Sequence, residues 1–523
     1  MANAEPEIAI IGAGPGGLAS AMLLAHAGAR VSVYEALDHV GGRCGSIVMQ
    51  SDRGAFRFDR GPTFFLYPRV LQDIFDTCGR DLAHEIELQR VDPQYRLVFG
   101  EDGRFDASAD PVRLAREIAR FSEDDATALP RFMADNRGKL AAFRPVLENP
   151  CQRPSAYLSP RMLAALPLLR PFRSIDRDLE RYFKDPRVRL AFSFQSKYLG
   201  MSPFRCPSLF TILSFMEYEY GVWHPRGGSG TLVARMADIA RQLGVCIHLS
   251  QPVREIVFER NRATGVRTDR GTHRADALVI NADFAQTMTR LVPDRLRRRW
   301  SNRRLARKKF SCSTFMLYLG IEGEVPELAH HTVFLADDYR RNVAEIEAGT
   351  TLPTEASLYV QNACVTDNSL APPGHSTLYV LVPVGHLRPD GPDWPREMAA
   401  FRARTLDRLR RLGVPDLERR IRVEKIMTPL DWEQDLQVFR GATFNLSHSL
   451  DQMLYFRPHN RFEDLDGVYL VGGGTHPGSG LPVIFESARI SARLIAEDFG
   501  LQPVPSDMPA EAYASRKAVA ALS

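Results

Sequence analysis

Residues 7 to 35 constrain this chain more than any other stretch. Ile8-Ala9-Ile10-Ile11 is a short apolar run suited to a buried parallel strand. Gly12-Ala13-Gly14-Pro15-Gly16-Gly17 follows with G-x-G-x-x-G spacing, and Leu18 to His26 supplies a helix of small and apolar residues. Val31-Ser32-Val33-Tyr34-Glu35 is a second strand ending in an acid. Each part has a physical task in holding a dinucleotide. Gly12 permits the tight turn, Gly14 lets backbone approach a pyrophosphate, and Gly17 lets the helix pack closely on the sheet. Free N–H groups at the helix start attract phosphate. Glu35, 18 residues after Gly17, is placed to accept bonds from ribose hydroxyls.

The same stretch has a second reading. Ile8 to Ala29 contains no Asp, Glu, Lys or Arg, a length that could span a bilayer. Gly12, Gly14, Pro15, Gly16 and Gly17 break a spanning helix near its start, and Glu5 and Glu7 stand where a signal peptide would be basic. A buried strand, glycine turn and buried helix are therefore expected, in a soluble or peripherally attached protein. With 523 residues, 44% of them hydrophobic, two or three domains are expected. A net charge of +4 with 25% charged residues points to neither disorder nor nucleic-acid binding. Seven scattered cysteines, without a C-x-x-C pair, predict reduced thiols in a cytosolic protein and no structural metal.

Three later segments extend the pattern. Gly41-Gly42-Arg43 follows the ribose acid, and Phe58-Asp59-Arg60-Gly61-Pro62-Thr63 comes soon after. Mid-chain, Val245 to Leu249, Pro252 to Phe258 and Ala277 to Asp283 read as strands. Gly467 to Gly474 is a strand running into glycines, Thr475 to Pro482 a loop, and Val483 to Phe499 a helix. The helix N-terminus offers free N–H groups and positive dipole to a ligand that carries negative charge.

The stretch Gly41 to Thr63 resembles the pattern of the amine-oxidase-like flavoproteins. There Gly42 and Arg43 would reach the pyrophosphate, Gly61-Pro62-Thr63 would pass near the flavin, and Val253 would bring its backbone to the adenine. Most of residues 6 to 500 resembles the bacterial carotenoid desaturases, the phytoene desaturases and their C30 relatives. That resemblance rests on Phe192-Ser193-Phe194-Gln195, Gly221 to Gly228, Ser311-Cys312-Ser313, His330-His331-Thr332-Val333, Asp367 to Pro372, Tyr455 to Asn460 and, most specifically, Gly474-Thr475-His476-Pro477-Gly478.

It implies an α/β fold: a Rossmann-like FAD-binding domain with an inserted mixed-sheet substrate domain and a helical, membrane-facing lid. The expected divisions are 1–90, 222–290 and 458–500 for FAD, 91–221 for the lid, 291–457 for substrate and 501–523 for a tail. FAD would be closed in at its isoalloxazine end by Gly473, Gly474, Pro482 and Val483. The implied activity is FAD-dependent insertion of C=C bonds into a linear C30 or C40 isoprenoid hydrocarbon. An oxygenase or ketolase, an isomerase or reductase, and a lipid-carrying flavoprotein without turnover are the alternatives. Asp337 to Ile346 and Leu481 to Ile484 look closer to the C30 branch. Glu486 departs from the family pattern and is expected either as a helix-surface charge, the preferred reading, or as a group that alters the polarity near the substrate.

Desaturation needs a hydride acceptor and a proton acceptor; the flavin supplies the first. No residue is singled out as base: His330, His331 and His476 titrate near neutrality, Asp367 reads as a turn cap, and reduced flavin is itself a candidate. Phe192, Phe194, Tyr198, Phe204, Phe210, Phe215, Tyr218, Tyr220 and Trp223 suit a hydrocarbon tunnel. A single dinucleotide pattern, used for FAD, predicts oxygen or a quinone rather than a nicotinamide as electron acceptor. The water-insoluble substrate implies docking on the inner face of the cytoplasmic membrane. Residues 151 to 175 suit that task, with Leu158, Met162, Leu163, Leu166, Leu168, Leu169 and Phe172 among Arg153, Arg161, Arg170 and Arg173 and no acid. A second basic run, Arg295 to Lys309, reads as a solvated helix face.

Overall fold

The computed structural model describes residues 5–154 and 160–505. A five-stranded parallel sheet runs Cys246–His248, Arg30–Tyr34, Glu7–Ile11, Ala277–Ile280 and Val468–Leu470 in spatial order. Strand Glu7–Ile11 sits at its centre because both its faces are covered, and Ile8 pairs with Val31 on one side and Ala277 on the other. Helix Pro15–His26 packs against helices Ser229–Gln242 and Leu481–Phe499. Gly16 through Leu24 are all buried, so the charge-free stretch is explained by a helix enclosed in protein. Among the described residues no helix is long and apolar enough to cross a membrane.

A seven-stranded sheet forms the second layer, ordered Ile421–Met427, Ser313–Glu322, His375–Val384, Leu358–Gln361, His331–Phe334, Tyr95–Val98 and Arg104–Ala107. Its pairs are antiparallel except His331–Phe334 with Tyr95–Val98. The hairpin 95–107 thus belongs to this sheet, although it lies within 91–221, the stretch expected as lid. A hairpin has no helical periodicity, and its partner strand is more than two hundred residues away. The fold is the expected α/β arrangement of a parallel dinucleotide-type sheet with an inserted mixed sheet.

The lid is helical from Glu123–Leu147 to Thr211–Tyr220. Ser122 caps the first helix by accepting from the Asp125 N–H, and Glu123, Asp124 and Asp125 favour its positive end. Inside the lid, fully buried Lys139 donates to Asp178 at 2.7 Å and Thr211 at 2.9 Å. Such a pair stabilises little in net terms but is costly to break one-sidedly.

Helix Pro160–Leu169 lies on Glu123–Leu147. Leu163, Leu166 and Phe172 are 48%, 39% and 90% exposed, whereas Leu169 is buried. Arg170, expected among surface cations, turns inward to Asp178 at 2.7 Å. Leu158 and the side chains of Arg161 and Met162 lie outside the described residues, as does the tail from 506. The run 295–309 is not simply a solvated face. Arg297 is buried and donates to the carbonyls of Val292 and Trp300, and Arg299 pairs with Glu463 at 3.3 Å.

Candidate functional site

Both sheets and the lid open onto one cavity of about 1080 Å³. At one end the C-terminal edge of the parallel sheet presents the glycine turn. Gly12 has φ +98°, a conformation that L side chains rarely adopt. A Cβ on Gly17 would lie 2.1 Å from the Gly12 carbonyl, so glycine is required there by helix–strand packing. A Cβ on Gly14 would lie 3.1 Å from Asn281 Nδ2. Gly14 begins helix Pro15–His26 without a side-chain cap, leaving the first-turn N–H groups for a ligand.

Glu35 is buried at the cavity wall. It accepts from the Ala13 N–H at 2.7 Å and the Leu37 N–H at 3.0 Å. Arg43 donates to the Thr443 carbonyl at 2.7 Å, and burial lowers its pKa from the ordinary arginine value. Desolvation raises the neighbouring Asp283, and Arg43 partly offsets this. The guanidinium retains donors for an anion. At the far side, helix Leu481–Phe499 starts at Gly480 with no side-chain cap, and Gly473, Pro482 and Val483 line the cavity. An uncapped helix start, backbone free of Cβ atoms, a carboxylate and a guanidinium in one cleft fit the donor set that FAD requires.

Gly12, Gly14, Glu35, Gly42, Arg43, Gly61, Pro62, Thr63, Val253, Gly473, Pro482 and Val483 all line this cavity. Gly17 and Gly474 lie behind it; a Cβ on Gly474 would meet Asn445 Oδ1 and Phe284 Cβ at 2.7 Å. Asn281 and Asp283 were not singled out as site residues from sequence. Asn281 donates to the Gly12 carbonyl at 3.1 Å and faces Gly14, Gly16 and Gly17. The signal available was its place just after the buried strand Ala277–Ile280, at the carboxyl edge where such sheets bind ligands.

Beyond the glycines the wall becomes apolar and aromatic: Phe64, Leu140, Phe143, Phe194, Tyr198, Leu213, Met216 and Leu335. Of the aromatic residues expected in a tunnel, Phe194, Tyr198 and Phe210 line it, while Phe192, Phe215 and Tyr218 are fully buried in the lid core. Beside Tyr198, burial pushes the Glu217 carboxyl up to about 7, partly countered by the bond from Gln195 at 2.9 Å.

Glu486 departs from its expected surface position. It is buried at the cavity wall, 2.9 Å from Arg489, and desolvation raises it to about 7. Periodicity missed this because the helix is covered on nearly every side. His476 reaches the carbonyls of Asn149 and Val146 at 3.0 and 3.1 Å, and burial lowers it to about 4, so it ties the Pro-Gly loop to the lid as a neutral ring. Asp367 caps Ser369 and also bonds His224 at 3.1 Å and the Gly227 N–H at 2.6 Å.

Comparison with known proteins places these features in context. The profile of the flavin containing amine oxidoreductases matches residues 15–496. A 4,4'-diapophytoene desaturase (4,4'-diapolycopene-forming) of Methylomonas is 44% identical, covering 95% of this chain and 96% of its own. An all-trans-zeta-carotene desaturase of Myxococcus xanthus is 37% identical, over 95% and 94%. A lycopene-forming phytoene desaturase of Pseudescherichia vulneris is also 37% identical, over 94% and 99%. Among solved structures, an oxidoreductase from Methanosarcina mazei superposes with TM-score 0.62 at 18% identity, over 92% of this chain and 98% of that one. A putrescine oxidase superposes with TM-score 0.58 at 17% identity, over 95% and 99%. These structural likenesses are evidence of fold.

Proposed function

Because the chain belongs to the flavin containing amine oxidoreductase family, we propose that it is an FAD-dependent desaturase of linear isoprenoids, inserting C=C bonds into a phytoene- or diapophytoene-type chain. The observation that carries this reading is the continuity of the cavity. The donor set for the cofactor and an apolar, aromatic channel share one space. Bound FAD supplies the hydride acceptor. Gly12, Gly14, Glu35, Gly42, Arg43 and Val253 would hold its dinucleotide part, and Gly61, Pro62, Thr63, Gly473, Pro482 and Val483 would face its ring, all of them lining the cavity. Phe194, Tyr198 and Met216 exclude water and align the chain. The relatives named above are desaturases, and none is an oxygenase, isomerase or carrier.

The Methylomonas relative, 44% identical, forms 4,4'-diapolycopene, which supports a C30 chain as substrate. Expression in hosts making either diapophytoene or phytoene tests this. Conjugated C30 pigment in the first host and little colour in the second is expected. Colour only with phytoene would overturn the C30 assignment, and colour in neither host would overturn the activity.

A hydrocarbon of this size partitions into membranes, and exposed Leu163, Leu166 and Phe172 lie on the helical layer whose Leu140 and Phe143 line the cavity. Peripheral docking through this patch on the inner face of the cytoplasmic membrane follows as part of the proposal, with oxygen or a quinone reoxidising the flavin.

A further inference from the structure

Away from the dinucleotide end, the cavity holds a lysine to which the protein supplies no acceptor. Lys197, on the lid turn Phe194–Leu199, lines the cavity and is half-buried. Among the described residues its Nζ has neither a hydrogen-bond nor an ion-pair partner. The groups that act on its charge are the Cys312 thiol and Glu347. Burial raises the Cys312 pKa, so the thiol is uncharged, and Glu347 is paired with Arg205 at 3.1 Å. The Tyr339 ring centroid stands 5.9 Å from Nζ, at the outer limit of a cation–π contact. Among the described residues the Tyr339 hydroxyl has no hydrogen-bond partner either. Phe194, Leu199 and Leu335, which pack in one cluster with Tyr339, make the rest of this wall apolar. Lys139 is treated differently: fully enclosed in the lid, it has Asp178 and Thr211 as acceptors. A lysine that serves only the packing is given its partners by the fold, and Lys197 is not.

We propose that Lys197 is a specificity-determining residue that binds an acceptor oxygen, carboxylate or carbonyl, at the end of a linear isoprenoid chain. This rests on the desaturase reading and extends its substrate class from the plain hydrocarbon to chains oxidised at one end. Packed against a hydrocarbon, the Lys197 N–H groups stay unpaired, which costs free energy; an end-group oxygen pairs them and leaves the rest of the chain to the apolar wall. Burial lowers the Lys197 pKa, but an amine nitrogen donates hydrogen bonds whether charged or neutral, so the same group serves an anion or a carbonyl. The cofactor's phosphates are not the intended partner. Their donors lie at the glycine turn and Arg43, whereas Lys197 shares its turn with Phe194 and Tyr198 of the channel wall.

The test titrates the FAD-loaded enzyme with fully conjugated C30 polyenes that differ only at one end, which is a methyl, an aldehyde or a carboxylate. All are presented in the same neutral liposomes, and binding is read as quenching of tryptophan fluorescence, since Trp432 lines the cavity. No turnover is needed for this readout. The wild type is expected to bind the carboxylate about tenfold or more tighter than the methyl-ended chain, with the aldehyde between them. Lys197→Met is expected to erase the preference and Lys197→Arg, which keeps a donor, to retain it. Partition of each polyene into the liposomes cancels when the ratio of affinities is compared between proteins. Flavin content and melting temperature check the fold of each variant, and Lys197→Leu repeats the comparison should the methionine variant lose its flavin. A preference unchanged in the apolar variants overturns the inference, and a wild type that does not distinguish the ends overturns it whatever the variants do. Conversion of diapophytoene by the same wild-type preparation is measured separately: its failure overturns the desaturase reading, while the end-group preference is still decided by the quenching.

Discussion

Asn281 contacts the glycine turn that the sequence pattern identifies, and it shows how the glycines divide their work. Gly14 faces the cavity, whereas Gly17 is pressed on the Gly12 carbonyl. Gly14→Val is therefore expected to give folded but colourless protein, read as flavin absorbance per mole after purification. Gly17→Ala is expected to lower stability instead, by about 1–3 kcal/mol as an overpacked contact, read by thermal melting of the apoprotein. A fully flavinated Gly14→Val protein would refute the assignment. Glu217 gives a pH prediction. Its folded pKa is about 7, above the ordinary 4.5. The folded state holds a proton that the unfolded state releases, so stability falls as pH rises from about 4.5 to about 7 and is level above. At roughly 1.4 kcal/mol per unit the contribution approaches about 3 kcal/mol. Glu217→Gln is expected to flatten this part of the melting-temperature profile between pH 5 and 7; a slope unchanged from wild type would refute it.

At the scale of elements, helix Pro160–Leu169 and the turn after it carry the membrane proposal. Exposed Leu163, Leu166 and Phe172 leave an apolar surface where Ala165 and Leu169 are buried on the lid. Replacing Leu163, Leu166 and Phe172 together with Glu is expected to reduce flotation with anionic liposomes several-fold while leaving FAD content intact. Recovery equal to wild type would reduce this helix to a cover over the lid. Arg170 is unsuited to the same experiment, since its ion pair with Asp178 lies within the buried cluster around Lys139. The element also marks a limit of pattern reading: arginines interleaved with leucines look alike whether they face headgroups or a buried carboxylate.

Across the whole molecule, the described residues form a large cavity whose lining fits FAD, and the sequence carries a single dinucleotide pattern. Turnover in air is expected without added NAD(P), measured as pigment formed by desalted enzyme and liposomal substrate. An absolute requirement for NAD(P) would refute it. The sequence by itself determined the dinucleotide turn, the strands on either side of it, and the closing loop and helix. These depend on contacts within short segments, where backbone conformation dictates glycine and burial dictates apolar runs. Tertiary structure alone decided that the hairpin 95–107 joins a strand beginning at His331, that Glu486 is enclosed, and that Thr63, Tyr359 and His331 meet. The hairpin and Thr63 meet partners more than two hundred positions away, and Glu486 is enclosed by more than its own helix. No local periodicity encodes them, because which faces meet is settled only when the two sheets and the lid pack around a common cavity.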